Sequence, residues 1–267
     1  MITMKQVSMG YPNGFVALKP TSLCFEKGSF TVLLGPSGAG KSTLLRCINF
    51  LNLPSSGTVS VEGLGLLNGN RGLLRSHRRR TAMIFQQHQL IDRYTALDNV
   101  LIGRVGNHSA LRTLFPLPQQ DHLLALESLD RVGLLHKAME RVDKLSGGQQ
   151  QRVGIARGLA QKPAIILADE PVASLDPATS EKVLSLLYSI CKEDGLTAIV
   201  SLHQVELAKT YADRIIGLAN GEVVFDGKSQ DLTPELLETI YHKPHTQAAH
   251  APQQITAWPA AQPIFEA

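Results

Sequence analysis

The sequence predicts an α/β fold arranged around a loop that binds phosphate. Residues 35–42, GPSGAGKS, match the pattern G-x-x-x-x-G-K-[ST] and follow the apolar run 30–34, as expected for a strand that leads into a phosphate-binding loop. Two further apolar segments, 165–168 and 197–202, are predicted to be buried strands, and each is followed by polar residues. Between them and the loop, residues 97 to about 140 show the helical spacing of apolar residues.

The loop has the chemistry of a phosphate socket. A glycine-rich turn between a strand and a helix leaves backbone N–H groups without intrahelical partners, and the helix dipole adds partial positive charge. Gly35, Gly38 and Gly40 permit the tight turn. Lys41 can reach the β- and γ-phosphates of a nucleotide, and the Ser42 hydroxyl can ligate Mg²⁺. The helix that follows is predicted from four apolar residues at helical spacing: Leu44, Leu45, Ile48 and Leu51. For an isolated match, a chance glycine-rich turn is the alternative.

The segment before the loop is predicted to form an antiparallel edge. Residues 4–7 and 22–25 have the composition of short strands, and the turn-rich segment 11–14 separates them. Tyr11 is the aromatic residue of that turn. Its flat face can stack on a nucleotide base, and packing within the turn is the alternative.

A basic run follows the first helix. Residues 71–80 carry five arginines and lie between predicted strands at 58–61 and 82–85. Charge runs of this kind are usually solvated helix faces, which is our prediction here. Contact with lipid phosphates or with an acidic partner is the alternative.

The central segment is predicted to be helical. One apolar face is predicted between residues 97 and 140, from Leu123, Leu124, Leu126 and Leu129. A second helix opens at 145–149, LSGGQ, where Ser146 is a plausible N-cap and the paired glycines offer N–H groups to a second anion. Its predicted buried stripe is Val153, Ala156, Leu159 and Ala160. A capped helix start without a ligand is the alternative.

Polar side chains follow three of the predicted strands. Asp169 and Glu170 end the 165–168 strand, where Asp169 can hold Mg²⁺ and Glu170 can orient and deprotonate an attacking water. Gln86 follows another strand and can reach the same Mg²⁺ or the water. His203 lies where strand ends gather around the phosphate site, so it can bind the γ-phosphate, although a structural histidine is the alternative.

The last part of the chain contains a hairpin, a helix and a tail. Strands at 215–218 and 222–225 are joined through Asn-Gly at 220–221, a strong hairpin signal. A final helix is predicted at 232–241. Residues 244–267 are rich in Ala, Gln, Pro and His and are predicted to be mostly disordered.

Composition excludes several classes of protein. The chain has 267 residues and a net charge of +3, which is too weak a charge to argue for nucleic acid by itself. Its three cysteines are widely separated, so a disulfide framework is not expected, and they are predicted to be buried. Residues 1–14 contain no apolar run of signal-peptide length, and no stretch approaches 18 uninterrupted apolar residues. The chain is therefore predicted to be neither secreted by that route nor membrane-spanning.

Seven segments occur together in the order and spacing of one family's motifs. They are Tyr11, residues 35–42, Gln86, residues 145–149, Asp169 with Glu170, residues 174–176 and His203. In this order they resemble the A-loop, Walker A, Q-loop, signature, Walker B, D-loop and H-loop of the nucleotide-binding subunits of ABC transporters. The resemblance implies a RecA-like P-loop core with an antiparallel β-subdomain and a helical subdomain at about 97–160. The domain would span 1–243, and 244–267 would be the tail.

The resemblance also implies an ATPase with defined site residues and Mg²⁺ as cofactor. Catalysis would involve Glu170, His203 and Gln86, and the metal would be held by Ser42, Gln86 and Asp169. The expected ATP-binding residues are Tyr11, Gly35, Pro36, Ser37, Gly38, Ala39, Gly40, Lys41, Ser42, Thr43, Ser146, Gly147, Gly148, Gln149 and Asp176.

Members of this family work as dimers that enclose two ATP molecules head to tail. By resemblance, Ser146, Gly148 and Gln149 would serve the γ-phosphate bound by a second copy of the chain. The chain would be the separate motor subunit, docked through the groove near Gln86 on integral permease subunits at the cytoplasmic face of the inner membrane. A periplasmic binding protein would be an indirect partner, and no nucleic acid is expected.

The expected substrate rests on three local segments. Residues 99–103, 111–115 and 201–205 look like those of phosphonate importer ATPases, whose relatives also take up phosphite. The motor of another importer or of an exporter is the nearest alternative, because its motifs would be nearly the same. A soluble ABC ATPase of DNA repair is less favoured, since only about 100 residues separate Walker A from the signature, without heptads or paired CxxC motifs.

Overall fold

The structure, a computed structural model, describes residues 1–12, 14–67, 69–86, 89–109 and 115–242. The predicted tail and residues 111–114 of the segment likened to phosphonate importers lie outside the described residues. Within the described ranges, the structure contains no helix with the length and apolar character needed to cross a bilayer.

A six-stranded sheet forms the centre of the molecule, with strand order β10-β9-β3-β8-β7-β6. Its strands are β3 (Phe30–Leu34), β6 (Thr81–Ile84), β7 (Ile165–Asp169), β8 (Thr197–Ser201), β9 (Arg214–Ala219) and β10 (Glu222–Gly227). All neighbours pair in parallel except β9 and β10, which form the predicted Asn-Gly hairpin. Every residue of β3, β7 and β8 is buried, as their continuous apolar sequences require.

A second, antiparallel sheet packs beside this core in the order β2-β1-β4-β5. Its strands are β1 (Ile2–Gly10), β2 (Val16–Phe25), β4 (Ser56–Val61) and β5 (Gly65–Leu66). The antiparallel edge is therefore confirmed, but β1 and β2 are much longer than the predicted 4–7 and 22–25. The parts of β1 and β2 outside the predicted segments mix buried with exposed residues, and their pairing has register shifts, so a search for apolar runs does not detect them.

The helices are α1 (Lys41–Ile48), α2 (Arg71–Arg80), α3 (Ala96–Val105), α4 (Gln119–Arg131), α5 (Gly147–Ala160), α6 (Pro177–Glu193), α7 (Val205–Tyr211) and α8 (Pro234–His242). Helices α3, α4 and α5 contact one another and form the predicted helical part. The predicted α/β fold with an antiparallel sheet and a helical part is confirmed.

The predicted apolar face of α4 is wrong in part. Of the predicted face, Leu129 is buried, Leu124 and Leu126 are partly buried, and Leu123 is 52% exposed. The helix also buries Asp121, Ala125 and Ser128. The reason is an ionic contact that apolar spacing does not reveal, since Arg104 Nε donates to Asp121 Oδ1 at 2.7 Å. The hydrogen bonds from Arg104 and His108 outweigh the effect of burial and lower the pKa of the Asp121 carboxyl.

The basic run was predicted to be a solvated face, and this is wrong for part of α2. His77 is fully buried, with Nε2 2.9 Å from the Ile48 carbonyl oxygen. Arg78 donates to the carbonyl oxygens of Asn49 and Phe50 at 3.2 and 2.6 Å. These carbonyls lie at the end of α1, where the helix leaves acceptors without intrahelical donors. The side chains of α2 supply those donors. In the same way, Arg79 Nε donates to the carbonyl oxygen of Gly106, at the end of α3, at 2.7 Å.

The cysteines are free, and the prediction that they are buried is confirmed for two of the three. Cys47 and Cys191 are buried, whereas Cys24 is partly exposed on β2. Burial raises the pKa of the Cys47 thiol to about 11, so this group stays protonated and behaves as a small apolar side chain.

The close packing of α3 on α5 gives a stability prediction. A Cβ added at Gly103 would lie 2.3 Å from the Arg157 carbonyl oxygen, whereas one at Gly106, just past α3, would have nothing within 4 Å. Gly103→Ala should therefore lower the free energy of unfolding by about 1–3 kcal/mol, because the two helices must separate. Gly106→Ala is the matched control and should leave it unchanged or raise it by up to about 1 kcal/mol. Urea unfolding measures both, and equal effects would contradict the packing explanation.

Candidate phosphate-binding and catalytic site

The predicted phosphate loop lies between β3 and α1 at the carboxyl edge of the central sheet. Helix α1 begins after Gly40, and no side chain caps its N-terminus, so its first backbone N–H groups are available to an anion. Gly35 has φ 149°, and a Cβ there would lie 2.2 Å from the Leu218 carbonyl oxygen. Only glycine fits this junction. Ser37 and Gly38 at the tip of the loop are exposed.

Lys41 places a buried ammonium inside the loop. The residue is 3% exposed, and Nζ donates to the carbonyl oxygens of Gly35 and Pro36 at 2.8 and 3.0 Å. Burial lowers the pKa of Lys41, while the negative charges of Glu170 and Asp169 act in the opposite direction. The ammonium lies 3.8 Å from Glu170 Oε1. The loop therefore holds a cation against the carboxylates that end β7.

Asp169 accepts hydrogen bonds from side chains of two other elements. Ser42 Oγ of α1 donates to Asp169 Oδ1 at 2.7 Å, and Ser201 Oγ of β8 donates to the same oxygen at 3.0 Å. Arg46 Nη2 lies 3.9 Å from Asp169 Oδ2. A hydroxyl and a carboxylate side by side are oxygen ligands of the kind that Mg²⁺ prefers. The described residues contain no group of three His, Cys, Asp or Glu side chains placed to hold a metal ion.

Glu170 and His203 form a pair beside this carboxylate. His203 Nε2 lies 2.5 Å from Glu170 Oε1. Glu170 has φ 50°, a left-handed conformation that is rare for a residue with a side chain, and its N–H donates to Ser201 Oγ at 2.8 Å. This turn sends Asp169 and Glu170 in different directions from one strand end. A carboxylate paired with an imidazole next to a phosphate loop can accept a proton from water.

Ser201 is a site residue that the sequence analysis missed. It is fully buried at the end of β8, where it accepts from Glu170 and donates to Asp169. A polar residue within an otherwise apolar strand, one strand away from an acidic pair, was the available signal. Arg46 was also missed, and nothing local in the sequence marks it.

The structure does not bring Tyr11 and Gln86 into this cluster through any described contact. Tyr11 is 37% exposed, stacks on Phe15 with ring centroids 6.3 Å apart and accepts a hydrogen bond from Asn52. Gln86 is exposed in the turn after β6. The chain beyond that turn is fixed to the helical part, because Arg157 of α5 donates to the Gln89 carbonyl oxygen at 2.6 Å.

The predicted signature segment lies at the start of α5. Ser146 is the N-cap, as predicted, and forms a capping box with Gln149 through hydrogen bonds of 3.4 and 2.9 Å. Ser146 and Gly147 are exposed. A side chain at Gly148 would lie 2.4 Å from Thr179 Cγ2 of α6, whose N-cap is Asp176. The predicted signature and D-loop are therefore neighbours within one chain.

Ser201→Ala should destabilise the protein and slow its chemistry. The substitution leaves the partly buried N–H of Glu170 without its acceptor and removes one donor from Asp169, which should cost about 1–3 kcal/mol of unfolding free energy. Ser189→Ala is the matched control, because Ser189 is exposed on α6, and it should change the value by less than about 0.5 kcal/mol. Urea unfolding with parallel assays of nucleotide hydrolysis would measure this, and equal stabilities would refute the role given to Ser201.

Comparison with known proteins places this geometry in a family. Residues 18–173 match the family model described as ABC transporter. The phosphite import ATP-binding protein PxtA of Stutzerimonas stutzeri is 61% identical over 255 residues, covering 95% of this chain and 92% of that protein. The phosphonates import ATP-binding protein PhnC 3 of Nostoc sp. strain PCC 7120 is 60% identical over 241 residues, covering 90% and 92%.

A solved structure shows the same fold. It is a dimeric post-hydrolysis state of the ATP-binding cassette MJ0796 bound to ADP and Pi. Its sequence is 37% identical to this chain, and the TM-score is 0.75 over 86% of this chain and 99% of that one.

Proposed function

This chain belongs to the ABC transporter family, and we propose that it is the ATP-hydrolysing motor subunit of an importer for phosphonate or a related phosphorus compound such as phosphite. The observation that carries the proposal is the cluster at the carboxyl edge of the sheet, where Lys41, Asp169, Glu170 and His203 converge on an uncapped helix N-terminus. An ATPase needs this set of groups around a terminal phosphate.

Each residue of the cluster has a role in the proposed hydrolysis. Lys41 binds the β- and γ-phosphates, and His203 contacts the γ-phosphate. Glu170 orients the attacking water and accepts its proton, for which its contact with His203 holds the carboxylate in place. Ser42 and Asp169 would hold Mg²⁺, which neutralises phosphate charge when bound. We assign Gln86 to the same metal and water, and Tyr11 to the nucleotide base.

The proposed site is completed by a second copy of the chain. Ser146 and Gly147 are exposed at the start of α5, an N-terminus suited to an anion. Helix α5 packs on α3, α4, α6 and the edge strand β6, whereas the phosphate-loop helix α1 packs on β1, β2, β7 and β8. We therefore assign Ser146, Gly148 and Gln149 to the γ-phosphate held by the partner, with Asp176 beside them. The similar cassette MJ0796 has been solved as a dimer, which supports this assignment.

The membrane partners follow from the proposed import. The relatives are named as import ATP-binding proteins, so we propose that integral permease subunits hold this chain at the cytoplasmic face of the inner membrane, with a periplasmic binding protein as an indirect partner. A cavity of about 510 Å³ between α2 and the end of α3 is a candidate docking surface. Its lining includes Arg71, Arg75, Arg78, Arg79 and His108, which suits an acidic partner segment.

Identity of about 60% to phosphite and phosphonate import proteins favours this substrate class over other importers and over exporters. The motor of an ABC system does not itself bind the transported solute, so the alternatives are separated by transport rather than by this site. The boundary of the domain at residue 243 and the disorder of the tail stay predictions.

Glu170→Gln should abolish both hydrolysis and uptake while ATP binding persists. The amide is isosteric but cannot accept a proton, so turnover should fall by about 100-fold or more, and Asp169 and Lys41 still hold the nucleotide. Glu181→Gln is the matched control, since Glu181 is an exposed carboxylate on α6. The assays are phosphate release by the purified chain and uptake of labelled phosphonate and phosphite by cells that express the chain with its permease and binding protein.

Near-normal hydrolysis by Glu170→Gln would remove Glu170 from catalysis. The substrate class would be overturned if uptake of phosphonate and phosphite did not depend on this chain while uptake of a different solute depended on Glu170. The proposed motor function would then still stand.

A further inference from the structure

Helix α8 reaches the phosphate loop from the far end of the chain. It packs on β9 and β10, and Ile240 is 1% exposed against the sheet. A Cβ added at Gly217 of β9 would lie 2.5 Å from Ile240 Cδ1, so glycine allows the helix to approach this closely. Gly217 pairs with Leu34, the last residue of β3. The end of α8 therefore lies where the phosphate loop begins.

Tyr241 connects the start of the phosphate loop to the His203 loop, which is residues 202–204 between β8 and α7. Its hydroxyl donates to the backbone carbonyl oxygen of His203 at 3.2 Å, and the backbone of Gly35, the first residue of the phosphate loop, lies near the same phenol. Burial raises the pKa of Tyr241, and the nearby Gly35 backbone opposes this effect. The phenol is therefore protonated at neutral pH and acts as a donor to His203. The hydroxyl therefore bonds to the His203 backbone and lies beside the first residue of the phosphate loop.

Both ends of this link lead to reacting groups. On one side, Lys41 Nζ donates to the Gly35 carbonyl oxygen at 2.8 Å. On the other, the His203 imidazole lies 2.5 Å from Glu170. A shift of the His203 backbone relative to Gly35 would change the position of the imidazole with respect to both Glu170 and the terminal phosphate. Misplacement of such groups by small distances is costly in rate.

We propose that Tyr241 is a positioning residue for ATP hydrolysis, whose hydroxyl sets the His203 loop against the phosphate loop. This inference rests on the proposed function, because it needs His203 to act at the γ-phosphate. Tyr241 itself touches no reacting atom. Its effect passes through the backbone of His203, whereas the ring and Ile240 hold α8 on the sheet.

The test is Tyr241→Phe in the full chain, with its permease added if the isolated subunit turns over slowly. The ring and its packing remain, and only the hydroxyl is lost. We expect kcat for ATP hydrolysis to fall about three- to tenfold, the effect of one hydrogen bond on a transition state, while KM for ATP changes by less than about twofold. Tyr188→Phe is the matched control: Tyr188 is another partly buried tyrosine, its ring packs on Phe30 at 5.2 Å, and kcat should not change.

A second comparison separates positioning from general stabilisation. In a His203→Ala background, Tyr241→Phe should have little further effect on the residual turnover, because the residue that it positions is absent. An unchanged kcat in Tyr241→Phe, or an equal loss with and without His203, would overturn the inference. Failure of the proposed function would give a different result, because the wild-type chain would then not hydrolyse ATP, or the Glu170→Gln variant would hydrolyse it normally.

Discussion

The Asp169 carboxylate is the interaction on which the site depends. It ends a strand that is buried along its whole length, and it is itself only 6% exposed. A buried carboxylate needs hydrogen-bond donors, and here they come from Ser42 on the phosphate-loop helix and Ser201 on the adjacent strand. Satisfying this one group fixes α1, β7 and β8 relative to one another. The same arrangement places Lys41 3.8 Å from Glu170.

Much of this architecture could be predicted because its determinants are local. The phosphate loop needs glycines at fixed positions before a helix, and the apolar sequences of β7 and β8 require burial on both faces. The proximity of Asp169, Glu170 and His203 could be predicted as well, because neighbouring parallel strands have their carboxyl ends at the same edge of the sheet. The Asn-Gly hairpin and the Ser146 cap are equally local, and both were predicted correctly.

The features that escaped prediction depend on contacts between distant segments. Ser201 matters because of the strand that pairs with it, and Tyr241 because Gly217 lets α8 approach the sheet. The errors have the same origin: His77 is buried by the end of α1, and Asp121 is turned inward by Arg104. Charge and apolar spacing describe a segment alone, whereas these side chains respond to acceptors and donors supplied from elsewhere.

In the proposed dimer, half of each ATP site belongs to the other copy of the chain, and counting trapped nucleotide tests this most directly. A mixed dimer would pair one chain carrying Lys41→Ala with one carrying Ser146→Arg, both also carrying Glu170→Gln so that bound ATP is not hydrolysed. If the signature serves the partner, both lesions fall in one site and the other stays intact, so each isolated mixed dimer should trap one ATP. If the signature serves its own chain, each site carries one lesion, so neither site should trap ATP. No trapped ATP in well-formed mixed dimers, when dimers with Glu170→Gln alone trap two, would contradict the shared site.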